Sequence, residues 1–366
     1  MLGLLLAFAA AMLQPAARPT NLAGLWEGNV GTLPVRACFV ERDYGSFGGY
    51  YYLSRLRLIG LEAEEGVPGG YEETSADGAE GHWRDVRATA TTLTARWTSG
   101  SRTLPVRLRR AAGAVGENGA CASLAFHRPR LAGVRTASTR ASLDGTAYTK
   151  LRLDTAGHFG IAVETFALDG ASPAVRRINV ALSEDLAGDP PAWLTCATDS
   201  LDSHPLEGQS SDALAPAMIS RRWLSVAAHS DWDCGGAHPD ESSSYRLFDL
   251  TSGAEVELLD WFLPTAVKRE HFEGASQDSR TLEPAFRTFL LAGWHASGER
   301  TECDEVVREA EYWNAGLTRD GIVFAPQLPH VVAACGEPIT IPFDRIQPWL
   351  KPEGVAAVSA LQAERR

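Results

Sequence analysis

The chain of 366 residues contains only three lysines, Lys150, Lys268 and Lys351, and has no basic stripe with interleaved aromatics. Nucleic acid is therefore not an expected partner, because phosphate recognition rests on clustered positive charge. No apolar run is long enough for a membrane helix, and no Cys-x-x-Cys pair supports a zinc ribbon or a thioredoxin-like redox site. Gly-x-Ser-x-Gly, Ser-x-x-Lys, glycine-rich phosphate loops and dinucleotide fingerprints are missing as well. Nucleophilic and nucleotide chemistry thus have no motif to stand on, and no catalytic residue, cofactor or metal is assigned.

What is present is the composition of a globular protein, with 45% hydrophobic and 22% charged residues. The length allows two or three cores, and two fit the pattern best. Acidic residues outnumber basic ones by 46 to 34, a net charge of −12. That excess reads first as solubility and second as a field that steers a cationic partner. The scarcity of lysine beside arginine reads as genome composition.

The opening stretch, Met1 to Leu13, is an apolar run of signal-peptide length, and Pro15-Ala16-Ala17 supplies the small residues of a cleavage site. No Lys or Arg precedes the run, so the free amino terminus supplies the positive charge. A buried N-terminal helix is the alternative. No cysteine follows closely, which argues against a lipid anchor. The expectation is a leader at 1–17 and a soluble mature protein in the periplasm or outside the cell.

Six cysteines remain, Cys38, Cys121, Cys196, Cys234, Cys303 and Cys335. An even, dispersed set in an exported chain reads as structural disulfides. If bridges stay within domains and near neighbours pair first, the pairs are Cys38 with Cys121, Cys196 with Cys234, and Cys303 with Cys335.

From Asn21 to about Arg110, short strands alternate with Gly, Pro, Asn and Asp: Leu22 to Val30, Leu33 to Glu41, Gly49 to Ile59, Gly81 to Thr89, Thr92 to Thr98 and Thr103 to Arg110. The spacing points to an antiparallel meander that closes toward a small barrel or a strongly curved sheet. In Tyr50-Tyr51-Tyr52, one ring is expected to face the core and two the surface. Glu62-Ala-Glu-Glu65 and Glu72-Glu73 resemble a glycosidase carboxylate pair only superficially and read as charged turns.

Residues 111–145, rich in Ala, Gly, Ser and Thr, read as the junction between a β-rich module at 20–128 and an α+β domain at 131–356. The second part opens with strands at Thr149 to Leu153 and Phe159 to Leu168, and Ala174 to Leu186 has apolar spacing that suits a helix. Met218 to Ala228 and Tyr245 to Gly253 read as strands, with Glu255 to Phe262 continuing beyond the turn. Helices are expected over Leu282 to Trp294 and Glu302 to Trp313. The latter carries Thr301 as N-cap and a stripe of Val306, Ala310 and Trp313. Three short strands follow, at Gly321 to Ala325, Val331-Val332 and Pro338 to Pro342, before a turn at Phe343 to Leu350. Strands flanking a helix pair without strict alternation mark the fold class as α+β, with a mixed or antiparallel sheet and two to three helices.

Three stretches carry a resemblance to a known family: Asp233-Cys-Gly-Gly-Ala-His-Pro239, Tyr245-Arg-Leu-Phe-Asp-Leu-Thr-Ser-Gly253 with the residues through Phe262, and Leu317-Thr-Arg-Asp-Gly-Ile-Val-Phe324 with Val331 to Leu350. Over roughly residues 150–352 the chain resembles the domain of unknown function that closes the extracytoplasmic part of a lysozyme-sensing anti-sigma factor and accompanies some peptidoglycan deacetylases. The resemblance implies an extracytoplasmic α+β domain that acts by binding or scaffolding, with a cell-wall component or a cationic protein such as lysozyme as partner. The chain departs from the anti-sigma factors in having no membrane span or sigma-binding part. It departs from the deacetylases in having no Asp-Asp and His-x-x-x-His pattern. No catalytic residue is established for the family, and none is carried over.

The richest constellation in the sequence runs from His229 to Glu241, with His229, Asp231, Asp233, His238 and Asp240 as a candidate ligand-contacting loop. Imidazole and carboxylate suit metal binding or proton transfer near neutral pH. Two histidines nine residues apart, however, share neither a helix face nor a strand face with certainty. An architectural reading competes: Cys234 fixes the strand end, Gly235 and Gly236 permit positive φ or close backbone approach, and His238-Pro239 shapes the exit. His330 after Pro329 reads as structural in the same way. The leading expectation is a non-enzymatic exported protein that binds an envelope or extracellular component. A hydrolase acting on cell-wall glycans or their substituents and a structural envelope protein are the alternatives.

Overall fold

The fold is described from a computed structural model, over residues 22–43, 45–75, 78, 81–113, 119–272, 278–292, 294 and 301–364, with the backbone alone for 301 and 302. The leader expected at 1–17 and the side chain of the expected N-cap Thr301 lie outside the described residues. The chain divides into two compact units. One takes the residues through Arg130 together with Leu201–Leu206, and the other takes Leu131–Ser200 with the residues from Glu207 on.

The first unit is a closed antiparallel barrel of eight strands: β1 (Gly24–Val30), β2 (Leu33–Arg42), β3 (Gly45–Tyr52), β4 (Ile59–Ala63), β5 (Tyr71–Thr74), β6 (His82–Ala88), β7 (Thr92–Ser99) and β8 (Arg102–Arg110). Each strand pairs with the next, and β8 returns to β1 with Trp26 opposite Arg110. Alternation along the strands sends Val35, Ala37 and Phe39 of β2 and Val106 and Leu108 of β8 inward, onto Trp26, Tyr50 and Trp83. Outward positions carry Arg107 and Arg109. An apolar inside and a charged outside is the reverse of a lipid-facing barrel.

Three expectations for this unit need correction. Gly49 to Ile59 is not one strand, because the chain turns at Leu53–Leu58 between β3 and β4. Of the three tyrosines, Tyr50 and Tyr51 are both fully buried. Tyr51 lies on the outer side of the sheet, but α1 (Leu124–His127) covers it, and its hydroxyl donates to the Phe126 carbonyl at 2.7 Å. Glu73 is not in a turn. It sits on β5 facing the barrel interior, where it accepts from the Tyr50 hydroxyl and, at 2.7 Å, from Trp97 Nε1. Glu62 ends up on β4, while Glu64 in the following turn pairs with Arg84. The Cys38–Cys121 disulfide links β2 to the segment before α1.

The second unit is built on a seven-stranded sheet, with β9 (Arg135–Leu143), β10 (Thr146–Asp154), β11 (Ile161–Leu168), β12 (Gln209–Ile219), β13 (Trp223–Asp233), β14 (Asp240–Asp249) and β15 (Glu255–Val256) in chain order across it. All neighbours are antiparallel except β11 and β12, whose parallel crossover carries α2 (Pro173–Leu182) and α3 (Leu194–Asp199). Ile178 and Leu182 of α2 pack on Phe166, Leu168 and Phe248. Then come the hairpin of β16 (Val267–Glu270) and β17 (Ser279–Leu282), α4 (Pro284–Leu291), α5 (Thr301–Glu309), a three-stranded sheet of β18 (Trp313–Leu317), β19 (Gly321–Pro326) and β20 (Ile339–Pro342), and finally α6 (Phe343–Ile346) and α7 (Pro352–Glu364). Their shared core holds Phe262, Phe286, Phe324 and Trp313. The barrel followed by a mixed sheet with helices is an α+β fold.

Here too several expected boundaries move. β9 lies inside the stretch read as a featureless junction, where its Ser, Thr and Ala residues hide the strand period. The strand expected at Met218 to Ala228 is two strands reversing at Ser220–Arg222, with Ser220 N donating to Trp223 O at 2.9 Å. Glu255 to Phe262 is strand only for two residues and then a 3-10 turn at Leu258–Trp261. α4 starts at Pro284, a residue suited to the first helical turn, because Leu282 belongs to β17. α5 buries Cys303 and Val307 rather than Val306, and the helix ends at Glu309, so that Ala310 and Trp313, buried as expected, lie beyond it, Trp313 opening β18. Val331-Val332 belongs to a 3-10 helix, His330–Cys335, and not to a strand.

Candidate functional site

β13 and β14 form a hairpin in which Trp232 faces Asp240 and His229 faces Ser243. His229, Asp231 and Asp233 are therefore two residues apart on one face of β13, and all three are exposed. His229 Nδ1 lies 3.2 Å from Ser243 Oγ, and Asp233 Oδ1 accepts from Gly235 N at 3.3 Å. Gly235 has φ +88°, a conformation that disfavours any Cβ, whereas Gly236 has no positive φ and its nearest obstacle is 3.9 Å away. The Cys196–Cys234 bridge joins the loop to α3.

His238 turns to a different neighbour. Its Nδ1–H donates to the Pro239 carbonyl at 2.9 Å, and its ring stacks on that of His330 with centroids 4.6 Å apart and planes 14° from parallel. His330 Nδ1 lies 3.4 Å from Asp240 Oδ1, which also accepts from Glu241 N at 2.8 Å. Of the five nominated residues, the structure brings His238 and Asp240 together through His330 and leaves His229, Asp231 and Asp233 in a separate row. Ring-nitrogen lone pairs lie in the ring planes, so two nearly parallel imidazoles do not aim at one ion. Among the described residues no group of three or more His, Cys, Asp or Glu side chains is placed to hold a metal.

A better-formed concavity lies elsewhere in the second unit. A cleft of about 480 Å³ opens beside β14 and β15 and the β16–β17 hairpin. Its apolar lining is Leu247, Val256, Leu258 and Ala315, and its polar lining is Tyr245, Arg246, Glu255, Glu257, His271, Asp278 and Arg280. The β14–β15 register, with Phe248 opposite Glu255, sets the Arg246 guanidinium on the Glu255 carboxylate in a fork of 2.9 and 2.7 Å. On the hairpin side, Arg280 makes a similar fork to Asp260, at 2.8 and 3.1 Å. These carboxylates hold both guanidinium pKa values above their ordinary range.

His271 Nδ1 lies 3.1 Å from Asp278 Oδ1, and this contact, with Arg269 beside it, lowers the Asp278 pKa. Burial raises that of the Tyr245 phenol. The guanidiniums are thus committed to the walls, and the cleft is lined by three carboxylates against two guanidiniums.

No family model and no curated protein matches the chain. Among solved structures, it is similar to a DUF3298 family member from Bacteroides fragilis, at 12% identity over 63% of this chain and 96% of that one, with a TM-score of 0.35. It is also similar to a DUF3298 family protein from Pseudomonas aeruginosa PAO1, at 15% identity over 60% of this chain and 95% of that one, with a TM-score of 0.34.

Sequence reasoning missed the cleft. Its residues are scattered from Tyr245 to Ala315, and only strand register and hairpin packing gather them. One signal was available: Arg246 is a charge within a strand that reads Tyr-Arg-Leu-Phe, where a half-buried guanidinium needs a carboxylate partner.

Proposed function

We propose that the chain is an exported protein of the periplasm or extracellular space that binds a cell-envelope or extracellular component without transforming it, and that the cleft beside β14 is the seat. The observation that carries this reading is the doubly clamped wall, Arg246 on Glu255 and Arg280 on Asp260. Charges fixed in this way are preorganised and lose little freedom when a ligand arrives. Tyr245, Glu257 and His271 supply hydroxyl, carboxylate and imidazole groups to an apolar floor, and the volume suits a ligand of a few hundred Å³. Hydroxyl- and amine-bearing fragments of the cell wall fit that chemistry.

The test is calorimetric titration of the secreted protein with soluble peptidoglycan fragments and, in parallel, with lysozyme as the cationic protein. Binding is expected to weaken by about fivefold in Tyr245→Phe if one hydrogen bond is lost. Affinity for neither, or affinity unchanged by substitutions in the cleft, sinks the assignment.

A second reading, a hydrolase of cell-wall glycans or their substituents, is favoured by the His271–Asp278 contact, since a carboxylate-oriented imidazole is a general-base arrangement. Turnover of glycan or acylated substrates that disappears in His271→Asn would establish that reading in place of the first. Export itself is checked by mass spectrometry of protein from the periplasm or medium, with a mature N-terminus expected near Arg18.

A further inference from the structure

We propose that His238, His330 and Asp240 form an acid-sensitive latch that holds the tip of the β13–β14 hairpin against the 3-10 helix His330–Cys335. The two segments are far apart in sequence, and each is tethered on its outer side, the hairpin by Cys196–Cys234 and the 3-10 helix by Cys303–Cys335. What joins them to each other is the ring stack at 4.6 Å and the contact of His330 Nδ1 with Asp240 Oδ1 at 3.4 Å.

The hydrogen-bond pattern dictates how the latch responds to protons. A neutral His238 that donates from Nδ1 to Pro239 O must leave Nε2 unprotonated, so the next proton goes there. A proton added to His330 makes its ring a cation with Nδ1 3.4 Å from Asp240 Oδ1, and the carboxylate compensates the charge. A second proton, on His238, then creates two positive rings stacked face to face with one carboxylate beside them, on the His330 ring. Like charges at that separation repel, and the contact that binds hairpin to 3-10 helix becomes a strain on it. The other charged groups on the elements packed around the stack are Asp231, Asp233, Glu241, Arg246 and Asp249 of the hairpin and Glu302, Asp304, Glu305, Arg308 and Glu309 of α5. Among the described residues only Asp240 lies within ion-pairing distance of either ring. In a compartment whose pH follows the surroundings, as the proposed export implies, the latch releases on acidification.

The experiment is an NMR titration of the histidine ring protons of the full mature chain from pH 8 to pH 4.5, with hydrogen exchange of the loop amides at both ends of that range. In the parent protein the ring signals of the two histidines should respond to acidification together rather than independently. Exchange over 235–239 and 330–335, corrected for its intrinsic pH dependence, should rise about tenfold or more on acidification. His238→Phe keeps a stacking ring but removes the second charge, and the acid-induced rise should vanish. His330→Phe repeats that arm should His238→Phe fail to fold, and Asp240→Asn should move the His330 step to lower pH. Independent titration of the two rings in the parent protein, or an acid-induced rise that persists in the phenylalanine variants, overturns the latch.

Discussion

Arg130 donates from Nη1 to Nδ1 of His127 at 3.1 Å, so the imidazole that receives it is held in one neutral tautomer. Nε2 carries the proton and donates to the Cys121 carbonyl at 2.7 Å. Both side chains are fully buried, and Arg130 Nε also donates to the Leu56 carbonyl at 2.8 Å. Burial first, and the neighbouring guanidinium second, push the His127 pKa down to about 3. An unfolded chain would take up that proton near pH 6.5, so the folded value lies below the unfolded one. The stabilising effect is complete above about pH 6.5 and is lost progressively as pH falls toward about 3.

Denaturant unfolding of the barrel unit should therefore show stability falling by about 1.4 kcal/mol per pH unit through the middle of that window on account of this one group. His127→Gln, which keeps a side-chain donor and does not titrate there, should flatten that slope while costing about 1–2 kcal/mol at neutral pH. A slope unchanged in the variant would remove His127 as the cause.

The three disulfides, Cys38–Cys121, Cys196–Cys234 and Cys303–Cys335, lead to a second expectation. Cys303 lies on the buried face of α5, and its bridge closes a separation of 32 residues onto the 3-10 helix that carries His330. In the chain-entropy account, the double replacement Cys303→Ser with Cys335→Ser costs at most about 3–4 kcal/mol. Non-reducing peptide mapping checks the pairing, and a thermal melt checks the loss.

The hairpin loop separates two glycines that look alike in the sequence. Gly235 is at φ +88°, so Gly235→Val should cost about 1–3 kcal/mol. Gly236 has neither a positive φ nor a close neighbour, so Gly236→Val should stay within about 0.5 kcal/mol. Equal losses at the two positions would mean that the loop conformation differs from the one described.

Much of the architecture was legible because period and punctuation survive in the sequence. Val35, Ala37 and Phe39 alternate as a barrel strand must, and the dispersed cysteines pair with their nearest neighbours. Legibility failed where packing overrides local character. Glu73 looks like a turn residue, yet it is inside the barrel because two donors reach it. Tyr51 has an outward register and is buried because α1 and the residues packed with it lie over it. The site was less legible still. His238 meets His330 across more than ninety residues of sequence, and Arg246 and Glu255 meet only because β14 and β15 pair in one register. Periodicity reports which face a residue occupies, not which partner that face will find.

Glu73 gives the last expectation. A buried carboxylate persists only if donors replace the water it has lost, and here there are two, the Tyr50 hydroxyl and Trp97 Nε1. The network also leaves room for no further side chain: a Cβ on Gly81 would come within 2.0 Å of Glu73 Oε2. Tyr50 is held protonated well above the usual phenol range, by burial and then by the carboxylate charge, so it remains a donor at every pH the fold tolerates. Tyr50→Phe and Trp97→Phe should each cost about 1–3 kcal/mol in denaturant unfolding at neutral pH, because each leaves the same acceptor short of one donor. The double variant leaves the carboxylate with neither and should lose more than the sum of the two, with a coupling of about 0.5–3 kcal/mol. Strict additivity would mean that water already reaches Glu73 and that the two donors do not share responsibility for its charge. Replacing the acceptor together with both donors, in Tyr50→Phe and Trp97→Phe with Glu73→Leu, should recover much of the loss, since neither the donors nor the acceptor of the network is then left to be satisfied.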